Sequence, residues 1–168
     1  MEFRAEQPAD LKVIREVNLA AFGRDNEANL VEQLRGLSSV VSFVAAESGQ
    51  IIGHILFSPV EVVGNCGALP IWGLAPLAVL PAYQRRGVGS LLVRQSLAAC
   101  TELGCGAVVV LGNPAFYSRF GFVTAKPKGL TCEYEVPDEA FMVLGLKQDA
   151  LIECSGRVRY RPEFQNCE

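Results

Sequence analysis

The sequence predicts an α/β protein in which a mixed, mostly antiparallel sheet is flanked by helices. Two amphipathic patterns open the chain, and a stretch rich in β-branched and aromatic residues follows from Val40. Between Ile71 and Leu111 the order is strand, glycine turn, helix and apolar strand, which is typical of two parallel strands joined by a helix. The 168 residues suit one domain with a sizeable core, so we expect a single domain over residues 1–168.

Two helices are predicted in the N-terminal part of the chain. Pro8 and Asp10 are typical of a first helical turn. The apolar residues that follow at helical spacing are Leu11, Ile14, Val17 and Ala21. A second helix is expected from about Asn26, with Gly36 as its natural end.

The β-rich stretch predicts a hairpin. Val40–Ala46 and Ile51–Val62 are its two arms, and Ser48–Gln50 between them has the composition of a turn. A further strand is expected over Ile71–Val79, where Pro76 indicates a bulge or an unpaired edge because proline has no N–H to donate.

A helix is predicted from about Ser90 to Leu103, and the apolar run Ala107–Leu111 predicts a strand covered on both faces. A short aromatic helix follows over Ala115–Phe120. The last strand candidates are Phe122–Val123, Phe141–Leu146 and, as an edge strand, the tail Gly156–Pro162.

Composition excludes several functional classes. The net charge of -3 and the pI near 5.3 disfavour nucleic acid as a partner, since that contact depends on neutralising phosphates. No apolar run approaches the roughly 18–20 residues that span a bilayer, so no membrane association is expected. Met1–Glu6 lacks the apolar core of a secretory signal, and we therefore expect a cytoplasmic protein.

The six cysteines contain no Cys-x-x-Cys pair, and His54 is the single histidine. A metal site is not expected, because zinc sites draw on closely spaced cysteine and histidine ligands. Several cysteines fall in apolar segments, which predicts free, buried thiols in a reducing compartment.

The segment Gln84–Gly89 carries the strongest functional signal. It lies between a strand and a helix, and its glycines permit a turn that aims successive backbone N–H groups at one anion. The helix that begins near Ser90 adds unpaired N–H groups and the positive end of its dipole. Arg85 and Arg86 add positive charge. The segment therefore predicts a pyrophosphate site.

Spacing separates three kinds of phosphate-binding motif. A Walker-type loop ends in Gly-Lys-Ser/Thr, and this segment has no such lysine. A dinucleotide fingerprint requires a third glycine where this chain has Leu92, and the preceding strands are antiparallel. The pattern that fits is Gln/Arg-x-x-Gly-x-Gly/Ala.

With its neighbours, this motif makes the chain resemble the GNAT superfamily of N-acetyltransferases. The resemblance is carried by Leu77–Val79 before the loop and by Tyr117 within Phe116–Phe122. Leu111–Pro114 is further similar to the YhbS-type predicted acetyltransferases, which usually carry Asp where this chain has Asn113.

The resemblance implies the acyl-CoA N-acyltransferase fold, with a splayed pair of parallel strands that holds acetyl-CoA. The pantetheine would pair with the backbone of Leu77–Val79, the pyrophosphate with the loop, and a main-chain N–H near Leu77 or Val79 would stabilise the oxyanion. The cofactor-binding residues implied are Leu77, Ala78, Val79, Gln84, Arg85, Arg86, Gly87, Val88, Gly89, Ser90, Asn113 and Phe116.

For catalysis, the resemblance implies that an amine attacks the thioester directly and that Tyr117 protonates the departing thiolate. A phenol with a pKa of about 10 keeps its proton at neutral pH; a packing role is the alternative. His54 is a candidate proton acceptor, and a buried structural histidine is its alternative. Glu61 and Glu27 are further candidates, and no protein base is needed where water relays the proton.

The expected activity is transfer of an acetyl group to a primary amine of a small molecule or peptide. The alternative from another class is a non-catalytic acyl-CoA-binding sensor or regulatory module, against which Tyr117 argues. The sequence does not determine the oligomeric state, so both a monomer and a homodimer are compatible with it.

Overall fold

Both predicted N-terminal helices are present in the computed structural model of the protein, which describes residues 1–152 and 154–167. Their bounds are Leu11–Phe22 for α1 and Asn26–Arg35 for α2. Gly23 ends α1 with a φ of 68°, a left-handed conformation that glycine adopts without steric cost. Gly36 follows α2 as predicted.

The described chain divides into two compact units. The first contains Met1–Ser58, Ala75–Ser96 and the segment from Pro162 onward, and the second contains Pro59–Leu74 and Leu97–Arg161. Strand β5 (Ile71–Val79) and helix α3 (Val88–Glu102) contribute residues to both units.

The first unit contains an antiparallel sheet. Its strands are β1 (Glu2–Ala5), β2 (Val41–Glu47) and β3 (Gln50–Pro59), of which the last residue, Pro59, belongs to the second unit. The predicted hairpin joins β2 to β3, and its two turn residues, Ser48 and Gly49, both have positive φ. Strand β1 was not predicted; it pairs with β2 over its whole length.

Helices α1 and α2 supply the apolar core of this unit. The most buried residues of these helices include Ile14, Val17, Val31 and Leu34, each at most 1% exposed. Their spacing of three and four residues is the helical pattern on which the prediction rested.

The predicted parallel pair is confirmed in the second unit. Strand β5 spans Ile71–Val79, strand β6 spans Ala107–Leu111, and their paired residues run from Ile71 opposite Ala107 to Gly73 opposite Val109. Strand β9 (Phe141–Gly145) pairs antiparallel with β6, and strand β7 (Val123–Thr124) pairs antiparallel with β9, which gives the order β5, β6, β9, β7. Strand β5 has β3 and β6 as its neighbours in the strand order, and its pairing with β6 ends at Gly73, so Pro76 lies beyond the residues that pair with β6.

A separate three-stranded sheet was not predicted. Its strands are β4 (Glu61–Asn65), β8 (Leu130–Cys132) and β10 (Ser155–Arg159). The tail strand β10 lies in the middle, antiparallel to β4 and parallel to β8, so its prediction as an edge strand is wrong. The physical reason is that β8 has only three residues, too few to give a periodic pattern.

A disulfide was not predicted, because several cysteines were expected to be free and buried. Cys66 and Cys154 form a disulfide although 88 residues separate them, because the pairing of β4 with β10 brings the ends of both strands together. The free cysteines are Cys100, Cys105, Cys132 and Cys167. None of the helices in the described ranges is both long and apolar enough to span a bilayer.

Candidate functional site

The predicted anion loop connects β5 to α3 in the first unit. A 3-10 turn at Pro81–Tyr83 leads into Gln84–Gly87, whose four residues are exposed. Helix α3 then spans Val88–Glu102, so a 15-residue helix begins directly behind an exposed turn. This is the arrangement in which a helix N-terminus presents unpaired N–H groups and positive dipole charge to an anion.

The left-handed residues of this loop differ from those predicted. Gly87 has a φ of 85°, as the motif requires, and Arg85 has a φ of 63°. Gly89 is the second residue of α3, because the helix begins at Val88 rather than near Ser90. The turn therefore owes its shape to Arg85 and Gly87, and Gly89 lies in the first helical turn.

Two side-chain contacts hold the loop. The Gln84 amide donates a hydrogen bond from Nε2 to the carbonyl oxygen of Val79 at 3.0 Å, which ties the loop to the end of β5. The Arg86 guanidinium lies 5.7 Å from the centre of the Tyr83 ring, a cation–π arrangement. Arg85 is exposed.

The start of α3 is fixed by its packing on β3. Val88 and Leu92 are at most 2% exposed and lie over Gly53. A Cβ at Gly53 would come within 2.8 Å of Leu92 Cδ1 and 3.0 Å of Val88 Cγ1, closer than side chains normally approach. The sequence signal for this contact is an isolated glycine inside a strand, which often marks a close approach.

Near the loop, one face of strand β5 is less buried than the other. Leu77 and Val79 are half-buried, whereas Ala78 between them is 1% exposed. Since side chains alternate along a strand, Leu77 and Val79 share a face that the first unit leaves partly open. Ser90, at the start of α3, is buried.

His54 lies on β3 and is fully buried. Asn18 donates from Nδ2 to His54 Nδ1 at 3.2 Å, and the Ser42 hydroxyl lies 2.8 Å from Nε2. An amide NH₂ group can only donate, so Nδ1 accepts and the neutral ring carries its proton on Nε2. Burial lowers the pKa of His54 to about 4. Near pH 7 the ring is therefore neutral with both nitrogens engaged, which favours the structural alternative.

The His54 side chain and a Cβ built on the neighbouring Gly53 point to opposite sides of β3, because side chains alternate along a strand. Gly53 faces α3 and the loop, while His54 faces Asn18 of α1. The structure therefore does not bring His54 together with the residues of the anion loop.

Tyr117 belongs to the second unit, where it ends a one-turn helix. This helix, α4, spans Pro114–Tyr117, and the Asn113 Oδ1 accepts a hydrogen bond from the N–H of Ala115 at 2.9 Å. Asn113 is thus the N-cap residue, a role that neutral asparagine fills as well as aspartate does. The departure from the usual aspartate therefore changes the charge at this position and leaves the cap in place.

The Tyr117 side chain is enclosed by aromatic rings and a glycine. Phe116 and Phe122 make edge contacts with it at 4.9 Å and 5.6 Å between ring centres. A Cβ on Gly112 would overlap the ring at Cε2. The residue is 8% exposed, and this burial raises the pKa of Tyr117 to about 12. The phenol therefore keeps its proton throughout the neutral range.

The other candidate bases have different surroundings. Glu27 is 7% exposed and pairs through both carboxylate oxygens with Arg24, and Glu61 is exposed at the start of β4. Within residues 1–152 and 154–167, no group of three or more histidine, cysteine, aspartate or glutamate side chains is arranged to hold a metal ion.

Comparison with known proteins gives a family and close relatives. The model of the "Acetyltransferase (GNAT) family" matches residues 11–122. The chain is 40% identical over 166 residues to the "Uncharacterized N-acetyltransferase YhbS" of Escherichia coli strain K12, with 98% of each chain covered. It is 38% identical over 141 residues to the "Uncharacterized N-acetyltransferase YjhQ" of the same strain, covering 82% of this chain and 78% of that one.

Solved structures give the same result. The crystal structure of the GNAT family N-acetyltransferase YhbS from Escherichia coli in complex with CoA has a TM-score of 0.91 and 40% identity, over 98% of this chain and 91% of that one. A GNAT family acetyltransferase from Brucella melitensis in complex with acetyl-CoA has a TM-score of 0.79 and 34% identity, over 97% of each chain.

Proposed function

Because this chain belongs to the acetyltransferase (GNAT) family, we propose that it moves the acetyl group of acetyl-CoA to a primary amine of a small-molecule or peptide acceptor. The relatives solved with CoA and acetyl-CoA support the choice of cosubstrate. The observation that carries the proposal is the exposed loop Gln84–Gly87 directly before α3. We treat residues 1–168 as one acetyltransferase domain.

The loop binds the pyrophosphate of the cofactor through main-chain N–H groups from Arg85 to Gly89, with Ser90 at the helix start, because the N–H of Gln84 already donates to the Pro81 carbonyl at 3.3 Å. The left-handed Gly87 supports this role, since it turns the backbone toward the helix axis. The charge of Arg85 and Arg86 adds attraction for phosphate, and the Gln84 contact with Val79 keeps the loop in place before binding.

The pantetheine arm lies along Leu77–Val79 and pairs with their backbone. The partly open face formed by Leu77 and Val79 supports this assignment. A main-chain N–H of the same strand then polarises the thioester carbonyl and stabilises the oxyanion that forms when the amine attacks. Asn113 and Phe116 complete the cofactor-binding set.

Tyr117 is the general acid. The amine attacks the thioester carbonyl, the C–S bond of the tetrahedral intermediate breaks, and the departing CoA thiolate takes the proton of the Tyr117 hydroxyl, which is replaced through water by the proton that the attacking nitrogen loses. The buried phenol, whose pKa lies near 12, is fully protonated before the step and holds its proton more tightly than an exposed phenol does. Direct attack also requires a neutral amine, and we assign its deprotonation to water, because both nitrogens of His54 are already hydrogen-bonded.

Acetyl-CoA should raise the melting temperature of the purified protein. At about 100-fold excess over its Kd, a ligand that binds only the folded state adds about 2.7 kcal/mol of stability. CoA should act in the same way, and free pantetheine less strongly, because it lacks the phosphates that the loop recognises. An unchanged melting temperature at saturating acetyl-CoA would contradict the proposal.

Release of the CoA thiol separates an enzyme from a binding module. The protein is mixed with acetyl-CoA and, in turn, spermidine, kanamycin, free lysine and a lysine-containing peptide, and free thiol is measured. The proposal expects release with at least one amine and a large fall of its rate, to a measurable residual value, in Tyr117→Phe, whose acetyl-CoA affinity is unchanged. Tight binding without release by any amine would instead favour a non-catalytic acyl-CoA sensor.

A further inference from the structure

The backbone around α4 determines where the Tyr117 ring goes. Strand β6 ends at Leu111, the N–H of Gly112 donates to the carbonyl of Ala140 at 2.9 Å, and Asn113 caps the helix. The N–H of Tyr117 then donates to the carbonyl of Asn113 at 3.1 Å. One helical turn therefore folds the chain back, so that the Tyr117 ring lies against the residue that directly follows β6.

That residue is Gly112, and the contact leaves no room for a side chain. A Cβ built on Gly112 would overlap Cε2 of Tyr117 and approach Cδ2 to 2.9 Å and Cζ to 3.5 Å. Three atoms on one side of the ring therefore face the glycine. Gly112 is not among the residues with positive φ, so its backbone conformation would accept alanine without strain.

The edges of the ring are held by phenylalanines. Phe116 meets it at 85° and Phe122 at 71°, both in edge-to-face geometry. Phe122 is 2% exposed and belongs to the core of the second unit, so this neighbour cannot move away easily. The ring of Tyr117 is thus packed between Gly112 and two phenylalanines.

From this enclosure we propose that Gly112 is a positioning residue for the acid step: its missing side chain lets the Tyr117 ring pack directly against the backbone that follows β6, which fixes the direction of the hydroxyl. The inference rests on the proposed role of Tyr117 as the proton donor. Gly112 touches neither the cofactor nor the acceptor in this scheme, and it acts only through the direction of the phenol. A donor displaced by about 1 Å can lose about 100-fold in rate.

The test compares Gly112→Ala with Gly67→Ala. Gly67 lies in the same unit, a Cβ added to it would meet nothing within 4 Å, and it lacks a positive φ, so it controls for the general effect of adding a methyl group. Thiol release is measured with the amine that supports it in the wild-type protein, and acetyl-CoA affinity by calorimetry. We expect Gly112→Ala to lower kcat about 10- to 100-fold with unchanged acetyl-CoA Kd, and Gly67→Ala to resemble wild type.

A double variant separates positioning from a structural effect. Tyr117→Phe keeps the ring that collides with alanine but has no hydroxyl to aim. In that background Gly112→Ala should still lower the melting temperature but should have no further effect on kcat. An equal loss of kcat in both backgrounds, or a wild-type kcat for folded Gly112→Ala, would overturn the inference.

Two further outcomes keep the inference distinct from the proposed function. If Tyr117→Phe alone retains wild-type turnover, the acid role fails and the inference fails with it. If Gly112→Ala does not fold, Phe122→Leu is used in its place, since it opens one edge of the ring without a collision. The inference then expects a fall in kcat that disappears in the Tyr117→Phe background.

Discussion

The Gln84 side chain and the Val79 carbonyl form a hydrogen bond of 3.0 Å that closes the base of the anion loop. Gln84 is otherwise exposed, and its backbone N–H donates to the Pro81 carbonyl at 3.3 Å, so both its side chain and its N–H serve the shape of the loop. A single side chain therefore connects the end of the strand assigned to pantetheine with the loop assigned to pyrophosphate.

Gln84→Ala should weaken acetyl-CoA binding about fivefold. One exposed hydrogen bond contributes about 1 kcal/mol, and its loss lets the loop sample conformations that cannot bind. Calorimetric titration with acetyl-CoA measures the effect, and Gln95→Ala, at an exposed position of α3, is the matched control. Equal affinities for the two variants would show that the Val79 contact does not preorganise the loop.

Gly87→Ala should weaken acetyl-CoA binding about tenfold. A Cβ at this position would meet nothing within 4 Å, so the effect comes only from the φ of 85°, where an L side chain costs about 1–2 kcal/mol. The control is Gly36→Ala, where space is equally open and φ is -72°. Titration of both variants measures the difference, and a wild-type Kd for Gly87→Ala would mean that the loop binds in another conformation.

Breaking the Cys66–Cys154 disulfide should lower the free energy of unfolding by about 2–4 kcal/mol, because the link removes chain entropy from the unfolded state. Urea titration with and without a reductant measures this. The Cys66→Ser/Cys154→Ser protein should match the reduced wild type and show no response to reductant. A wild type that is equally stable under both conditions would show that the bond does not contribute to stability.

Gly53→Ala should destabilise the fold by about 1–3 kcal/mol, the usual range for overpacking. The added methyl would meet Leu92 Cδ1 at 2.8 Å and push the first turn of α3 away from β3. Shortening the opposing side chain should relieve the collision, so the effects of Gly53→Ala and Leu92→Ala should not add. Thermal unfolding of both single variants and the double variant measures this, and strict additivity would contradict the contact.

The features that the sequence predicted are local ones. Gly87 could be assigned because the spacing of its loop is fixed by neighbours in the chain, and Gly36 because it directly follows a periodic helix. Tyr117 could be identified as a candidate catalytic residue because the family resemblance rests on consecutive residues around it. In each case the information lies within a few positions of the residue itself.

The features that were missed depend on distant pairing. The Cys66–Cys154 bond follows from the register of β4 with β10, and the placement of β10 follows from the three-residue strand β8. The close contact of Gly112 with Tyr117 was not predicted, because it arises only when the Tyr117 ring folds back onto the glycine. No periodic pattern encodes such contacts.

The buried His54 should make stability fall as the pH is lowered. Its pKa is about 4 in the folded protein and about 6.5 in the unfolded chain, so between these values the unfolded state binds more protons. The stabilisation is thus complete above about pH 6.5 and is lost as the pH falls toward 4, by up to about 3 kcal/mol. The hydrogen bond with Arg4 lowers the pKa of Asp10 below its ordinary value of 3.8, so the titration of this carboxyl changes stability only at a pH below that of the His54 effect.

Urea titrations from pH 7 to 4.5 measure how the free energy of unfolding of the wild type depends on pH. His54→Gln should be less stable at pH 7, because the contacts with Asn18 and Ser42 are altered, but its stability should change less between pH 6.5 and 4.5. Parallel slopes for the two proteins would show that another group is responsible.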